Sequence, residues 1–105
     1  MLYEINNLPV RDIIAGFHAR FIHTESMTLA FVEIDAGSIL PEHAHFHEQC
    51  TRVIKGELAL TIDGETHIYT QGQVAVIPAH VPHSARALTA CTVMDVFSPV
   101  REDYR

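Results

Sequence analysis

The segment GSILPEHAHFHEQCTRVIKG, Gly37 to Gly56, sets His43, His45, His47 and Gln49 on alternate positions. In an extended strand, residues i and i+2 share a face. These four side chains are therefore expected to point one way, into the kind of shared interior that a β-barrel offers. Imidazoles converging there repel when protonated and are costly to bury unpaired. A divalent metal removes that difficulty, because neutral imidazole is a common ligand. A single H-x-H reads more simply as an exposed strand. Three histidines at alternate positions, followed downstream by His80 and His83, point to metal instead. Parity leaves open which of His43, His45, His47 and Gln49 bind.

Around this segment the chain reads as short strands separated by turn residues. MTLAFVEID (27–35) alternates and is rich in β-formers. CTRVIKG, ELALTID and ETHIYT follow, the last two joined by Asp63–Gly64, a two-residue hairpin turn signal. VAVIPA, HSARAL and CTVMDVFSP complete the set. VRDIIAGF (10–17) comes nearest to a helical period, and Gly16 weakens it. Seven or more short strands at close spacing predict an antiparallel sandwich or barrel with little helix.

The 105 residues fit one domain, residues 1–105, with a core large enough to stand without disulfides. A formal charge of −6 with scattered basic residues argues against nucleic acid as a partner. No apolar run approaches the roughly 20 residues that span a bilayer. Met1 to Val10 lacks the pattern of a signal peptide. Cys50 and Cys91 lack the spacing of a zinc knuckle or redox pair. Two free, reduced thiols in a cytoplasmic protein are expected, a single disulfide being the alternative.

At this point a resemblance becomes specific. Residues 37–56 resemble the first cupin motif: Gly37, five residues, His43-Ala44-His45, then Gln49 at the acid position and Gly56. Residues 72–87 resemble the second motif, with Gly72, Pro78 and His83 in place, His80 at an inner glycine position and Ala87 at a final asparagine. The resemblance implies a single-domain cupin, a double-stranded β-helix or jelly-roll barrel. It implies one divalent ion held by His43, His45, Gln49 and His83. His47 falls between ligand positions and is expected behind the ligands or in the turn. His80 is expected to reflect loop geometry, and His18, His23 and His67 to be ordinary strand histidines. Zinc, nickel, manganese, iron or cobalt would suit the mixed donor set. An amide at Gln49, where many cupins carry glutamate, leaves the site one unit more positive and suits an anionic, oxygen-rich ligand.

The run HAHFHEQ, the strand after it, GELALTIDGE and the closing DVFSPVREDYR look most like the KdgF-type pectin-degradation cupins. Arg52 stands where an aromatic residue is common, and the N-terminal third matches loosely. Bacterial members of that family convert 4,5-unsaturated monouronates from pectin and alginate to linear 5-keto-4-deoxyuronates. The resemblance therefore implies a metal-dependent ring-opening, isomerase- or lyase-like enzyme and a small anionic sugar as substrate. It places a functional acid at Asp95, an arginine for the substrate carboxylate at Arg101 and an aromatic pocket wall at Phe97. Independently, Asp95 shares parity with Cys91, Val93 and Phe97, and an acid among apolar residues is expensive unless it serves something. A nearby cation would lower its pKa, and burial would raise it. A homodimer is expected by analogy. The rival readings are another metal-dependent cupin enzyme, of dioxygenase or polyketide cyclase type, and a sugar-binding cupin without catalysis. No DNA-binding helix pattern accompanies the strands, which argues against a regulator.

Overall fold

The computed structural model describes all 105 residues, as ten strands and two 3-10 turns (residues 5–7 and 102–104). The strands are β1 (Arg11–Ile14), β2 (Phe17–His23), β3 (Thr28–Ile34), β4 (Ile39–His43), β5 (Glu48–Lys55), β6 (Leu58–Ile62), β7 (Glu65–Tyr69), β8 (Val74–Ile77), β9 (His83–Ala87) and β10 (Cys91–Ser98). They form two antiparallel sheets, ordered β1-β2-β3-β10-β5-β8 and β4-β9-β6-β7. The VRDIIAGF segment is strand, turn and strand, with Gly16 at φ +85° in the turn. This is a jelly-roll barrel, the fold that the resemblance implies.

Alternation drives it. On β3, Thr28, Ala30, Val32 and Ile34 are buried while Glu33 is exposed. On β10, Cys91, Val93 and Phe97 are buried on the inward parity. The two inner faces meet in one core that includes Phe17, Val32, Val53, Leu58, Leu60, Val93 and Phe97. Fully burying a side chain such as Val53 or Leu58 contributes about 1.5–3 kcal/mol. Asp63 and Gly64 both take positive φ, 51° and 80°, the type I′ geometry that matches strand twist. Gly56, at φ +92°, turns the chain where a Cβ would lie 2.3 Å from the Ala90 carbonyl oxygen. Cys50 and Cys91 are free.

One expectation needs correction. Residues 43–49 are not one strand. His43 ends β4 in the smaller sheet, residues 44–47 cross between sheets, and Glu48 starts β5 in the larger one. The alternation of burial nevertheless survives the break, from half-buried His43 and His45 to buried His47 and Gln49. The crossing lets the histidines converge instead of standing in a row.

Candidate metal centre

Two cross-strand neighbourhoods face each other at the mouth of the barrel. In the smaller sheet His43 on β4 pairs with His83 on β9. In the larger sheet Gln49 and Thr51 on β5 pair with Phe97 and Asp95 on β10. His45 reaches the same place from the crossing between β4 and β5. The backbone N–H of His80 donates to the His45 carbonyl at 2.7 Å and pins that crossing. His80 itself sits at φ +68°, so its backbone, at a position where glycine is the cheaper residue, holds the loop.

His43, His45 and His83 bring donor nitrogens within 4.8 Å of one another. Each donates Nδ1–H to a backbone carbonyl: His43 to Pro41 at 2.9 Å, His45 to His47 at 3.0 Å and His83 to Val81 at 2.8 Å. A carbonyl only accepts, so the neutral ring must carry its proton on Nδ1 and leave the Nε2 lone pair free. Carbonyl partners of this kind orient histidine ligands in metal sites. Burial pulls the His83 imidazole below its ordinary range, and burial, reinforced by Arg101, pulls His45 down to about 4. The His45 ring is neutral at pH 7.

Gln49 supplies the complementary half. Its Nε2 donates to Thr51 Oγ1 at 2.9 Å and toward Asp95 Oδ1 at 3.4 Å. Its Oε1 therefore faces His45 Nε2, 3.2 Å away. Two lone pairs oppose each other there, and the buried His83 Nε2 has no hydrogen-bond partner. A cation relieves both defects, so the residues present fit a divalent metal, with three imidazole nitrogens and one amide oxygen as donors.

His47 lies outside this cluster. It is 5% exposed, with its ring stacked 4.0 Å from Phe46 and neither ring nitrogen hydrogen-bonded. Burial lowers its pKa, with Arg101 acting in the same direction. His18 bridges Asp12 and Asp35, His23 bonds Thr28 and His67 bonds Glu65, all away from the centre.

A cavity of about 250 Å³ opens beside the histidines. Its polar lining is His43, Gln49, Thr51, Asp95, Arg101 and Tyr104, and most of the remaining wall is apolar, including Ile14, Val32, Leu40, Leu58 and Phe97. Asp95 accepts from Thr51 Oγ1 at 2.6 Å. Burial pushes its carboxyl up to about 6, against the opposing pull of Thr51, Gln49 and Arg101. Phe97 is both core and cavity wall. Arg101 lies over the Phe97 ring with Cζ 4.8 Å from its centroid. The Nε and Nη2 of Arg101 donate to the two carboxylate oxygens of Asp103 at 3.0 and 2.7 Å. The structure thus brings His43, His45, Gln49, His83, Asp95, Phe97 and Arg101 to one place. It adds Thr51, whose shared parity with Gln49 was a usable signal. It also adds Tyr104, Asp103 and the β1 residue Ile14, for which the sequence offered no periodic cue.

Fold and donor set together define a barrel with a cluster of three histidines that could hold a metal ion. A cupin-domain family model matches residues 30–97, and the chain belongs to that family. KdgF from Halomonas sp. is similar over 100% of this chain and 98% of its own, at 28% identity and a TM-score of 0.94. An RmlC-like cupin from Shewanella frigidimarina is 30% identical, with a TM-score of 0.91 over 95% of this chain and 91% of that one. Quercetin 2,3-dioxygenase of Bacillus subtilis is 44% identical over 52 residues, which span 48% of this chain but only 15% of that protein.

Proposed function

We propose that this cupin opens the ring of 4,5-unsaturated monouronates to give linear 5-keto-4-deoxyuronates. The observation that carries the reading is an acid and an arginine, Asp95 and Arg101, lining one cavity with His43 and Gln49. The likeness to the Halomonas KdgF supports it.

The reaction moves one proton. A base takes it from the anomeric hydroxyl, and C1 becomes an aldehyde as the C1–O5 bond breaks. The electron pair goes to O5, now an enolate oxygen, and a proton added at C4 yields the ketone at C5. Nothing is gained or lost, so a single residue can take the proton and return it. Burial raises the Asp95 carboxyl to about 6 in the metal-free protein, and a bound cation would lower it, so at pH 7 it is ionised and ready to take the proton. Thr51 and Gln49 both bond the same oxygen, Oδ1, which leaves Oδ2 for the substrate. Arg101 receives the sugar carboxylate, and Phe97 walls the cavity. A divalent ion held by His43, His45, Gln49 and His83 would supply electrophilic stabilisation of negative charge on oxygen.

The test is direct. Metal-loaded protein is mixed with unsaturated monouronates from pectin and from alginate, and loss of the enol-ether ultraviolet band is followed. Loss of the band with appearance of the 5-keto product is expected; no change with either substrate sinks the reading.

The apolar cavity wall favours one rival, oxygen-dependent cleavage of an aromatic substrate. The short match to quercetin 2,3-dioxygenase points the same way. Oxygen uptake with a flavonol, alongside inertness to uronates, would establish it.

A further inference from the structure

We propose that Asp103 and Tyr104 are positioning residues that aim Arg101 into the cavity, so that carboxylate recognition depends on them. This rests on the uronate reading above. Arg101 is 7% exposed, and its guanidinium sits in the corner of two rings whose planes stand 74° apart, Cζ being 4.8 Å from the Phe97 centroid and 4.1 Å from that of Tyr104. The corner limits where the guanidinium can shift, and the two-point bond to Asp103 sets its orientation.

A guanidinium has five N–H groups and more than one edge able to grip a carboxylate. Asp103 takes one hydrogen from Nε and one from Nη2. The Nη1 hydrogens and the second Nη2 hydrogen remain, and they form a second two-point edge for a ligand in the cavity that Arg101 lines. A bidentate bond to Asp103 is thus compatible with a bidentate bond to substrate.

The tail is arranged to keep this pairing. Asp103 stands on the wet side, its side chain 55% exposed against 8% for Arg101. It compensates a cation that burial would otherwise penalise. Although burial pulls the Arg101 pKa down, the bond to Asp103 and the neighbouring Tyr104 more than offset it, leaving the net shift upward. Glu102, the other acid of the turn, is engaged with Arg105 at 2.9 Å. The Arg101 backbone N–H donates to the fully buried Thr28 Oγ1 at 2.9 Å, and an Arg11 guanidinium hydrogen reaches the Tyr104 carbonyl. Backbone, position and edge of Arg101 are each held by a different contact.

Metal-loaded Asp103→Asn is compared with wild type on the pectin-derived unsaturated monouronate. KM is expected to rise roughly ten-fold, the equivalent of one charge-assisted hydrogen bond, with kcat changing less. Tyr104→Ala is expected to lose more than Tyr104→Phe, which keeps the ring. Calorimetric titration with galacturonate and galactose isolates the carboxylate: Asp103→Asn should weaken the acid and spare the neutral sugar. A fall in KM would make Asp103 a competing counter-ion. Equal weakening of both sugars would make it merely structural. Either result overturns the proposal. A readout independent of turnover separates this inference from the uronate reading. The Arg101 Nε–H nuclear magnetic resonance signal should respond to acetate in wild type and not in Asp103→Asn. If uronates are inert but that response is seen, the positioning role stands without the uronate reading; if wild type shows no response, the positioning role falls.

Discussion

Gln49 stands between Asp95 and His45: its Nε2 lies 3.4 Å from Asp95 Oδ1 and its Oε1 lies 3.2 Å from His45 Nε2. The amide presents a donor to the acid and an acceptor to the metal side at once, which an ionised carboxylate, an acceptor only, cannot do. A glutamate there would set a second carboxylate against Asp95 and raise its pKa further. Gln49→Glu is expected to keep or tighten metal binding while turnover falls and the acid limb of its pH profile moves to higher pH. Elemental analysis and a pH–rate profile check both halves.

Loss of a ligand should cost more than loss of a supporting hydrogen bond, which is worth about 10–100-fold in metal affinity. The protein as purified should carry about one divalent ion per chain. His45→Ala and His83→Ala are expected to lower metal content, and the double replacement to abolish it. His18→Ala and His67→Ala, away from the centre, should leave it unchanged. Undiminished metal in the double replacement would refute the assignment of the site.

Asp95→Asn keeps the shape of the side chain and removes its base. The catalysed rate is expected to fall by about 10²–10⁴, with metal content unchanged. Equal turnover by the variant would leave the substrate standing and remove the proposed proton path.

Acid should destabilise the metal-free protein. His45 falls from 6.5 to about 4 on folding, and His47 and His83 also fall, so their contribution is present above 6.5 and is lost as pH drops through the folded values. Asp95 acts oppositely: raised from 3.8 to about 6, it favours folding below 3.8 and loses that effect as pH rises through 6. His18, raised by its hydrogen bonds to Asp35 and Asp12, acts with the carboxyl from an exposed position, against the burial-depressed imidazoles. Melting temperatures in chelator are expected to fall from pH 7 to pH 5, more steeply in Asp95→Asn and less steeply in His45→Ala.

Gly56→Ala should destabilise the fold. A positive φ is strained for alanine, at about 1–3 kcal/mol, and its Cβ would meet the Ala90 carbonyl oxygen at 2.3 Å. A lower urea midpoint with an unchanged slope is the expected result.

Much of the barrel was legible because strand periodicity is local. The inward parity of Val93, Asp95 and Phe97 on β10, the Asp63–Gly64 turn and the alternation from His43 to Gln49 each follow from neighbours in the chain. The same local rule misled at residues 44–47, where alternation persists although the strand does not. Period two specifies a side; it does not specify that the chain stays in one sheet.

By itself, then, the sequence determined which side chains turn inward and offered the metal its donor types. Tertiary structure decided which of them meet. Strand register within each sheet set His43 beside His83 and Thr51 beside Asp95, pairings separated by 40 or more residues that no local pattern encodes. The return of the tail over the barrel mouth placed Arg101 against both Phe97 and Tyr104 and gave it Asp103 as a partner. The shift of Asp95 to about 6 likewise required the folded chain, because burial and hydrogen bonding exist only once distant strands have closed around it.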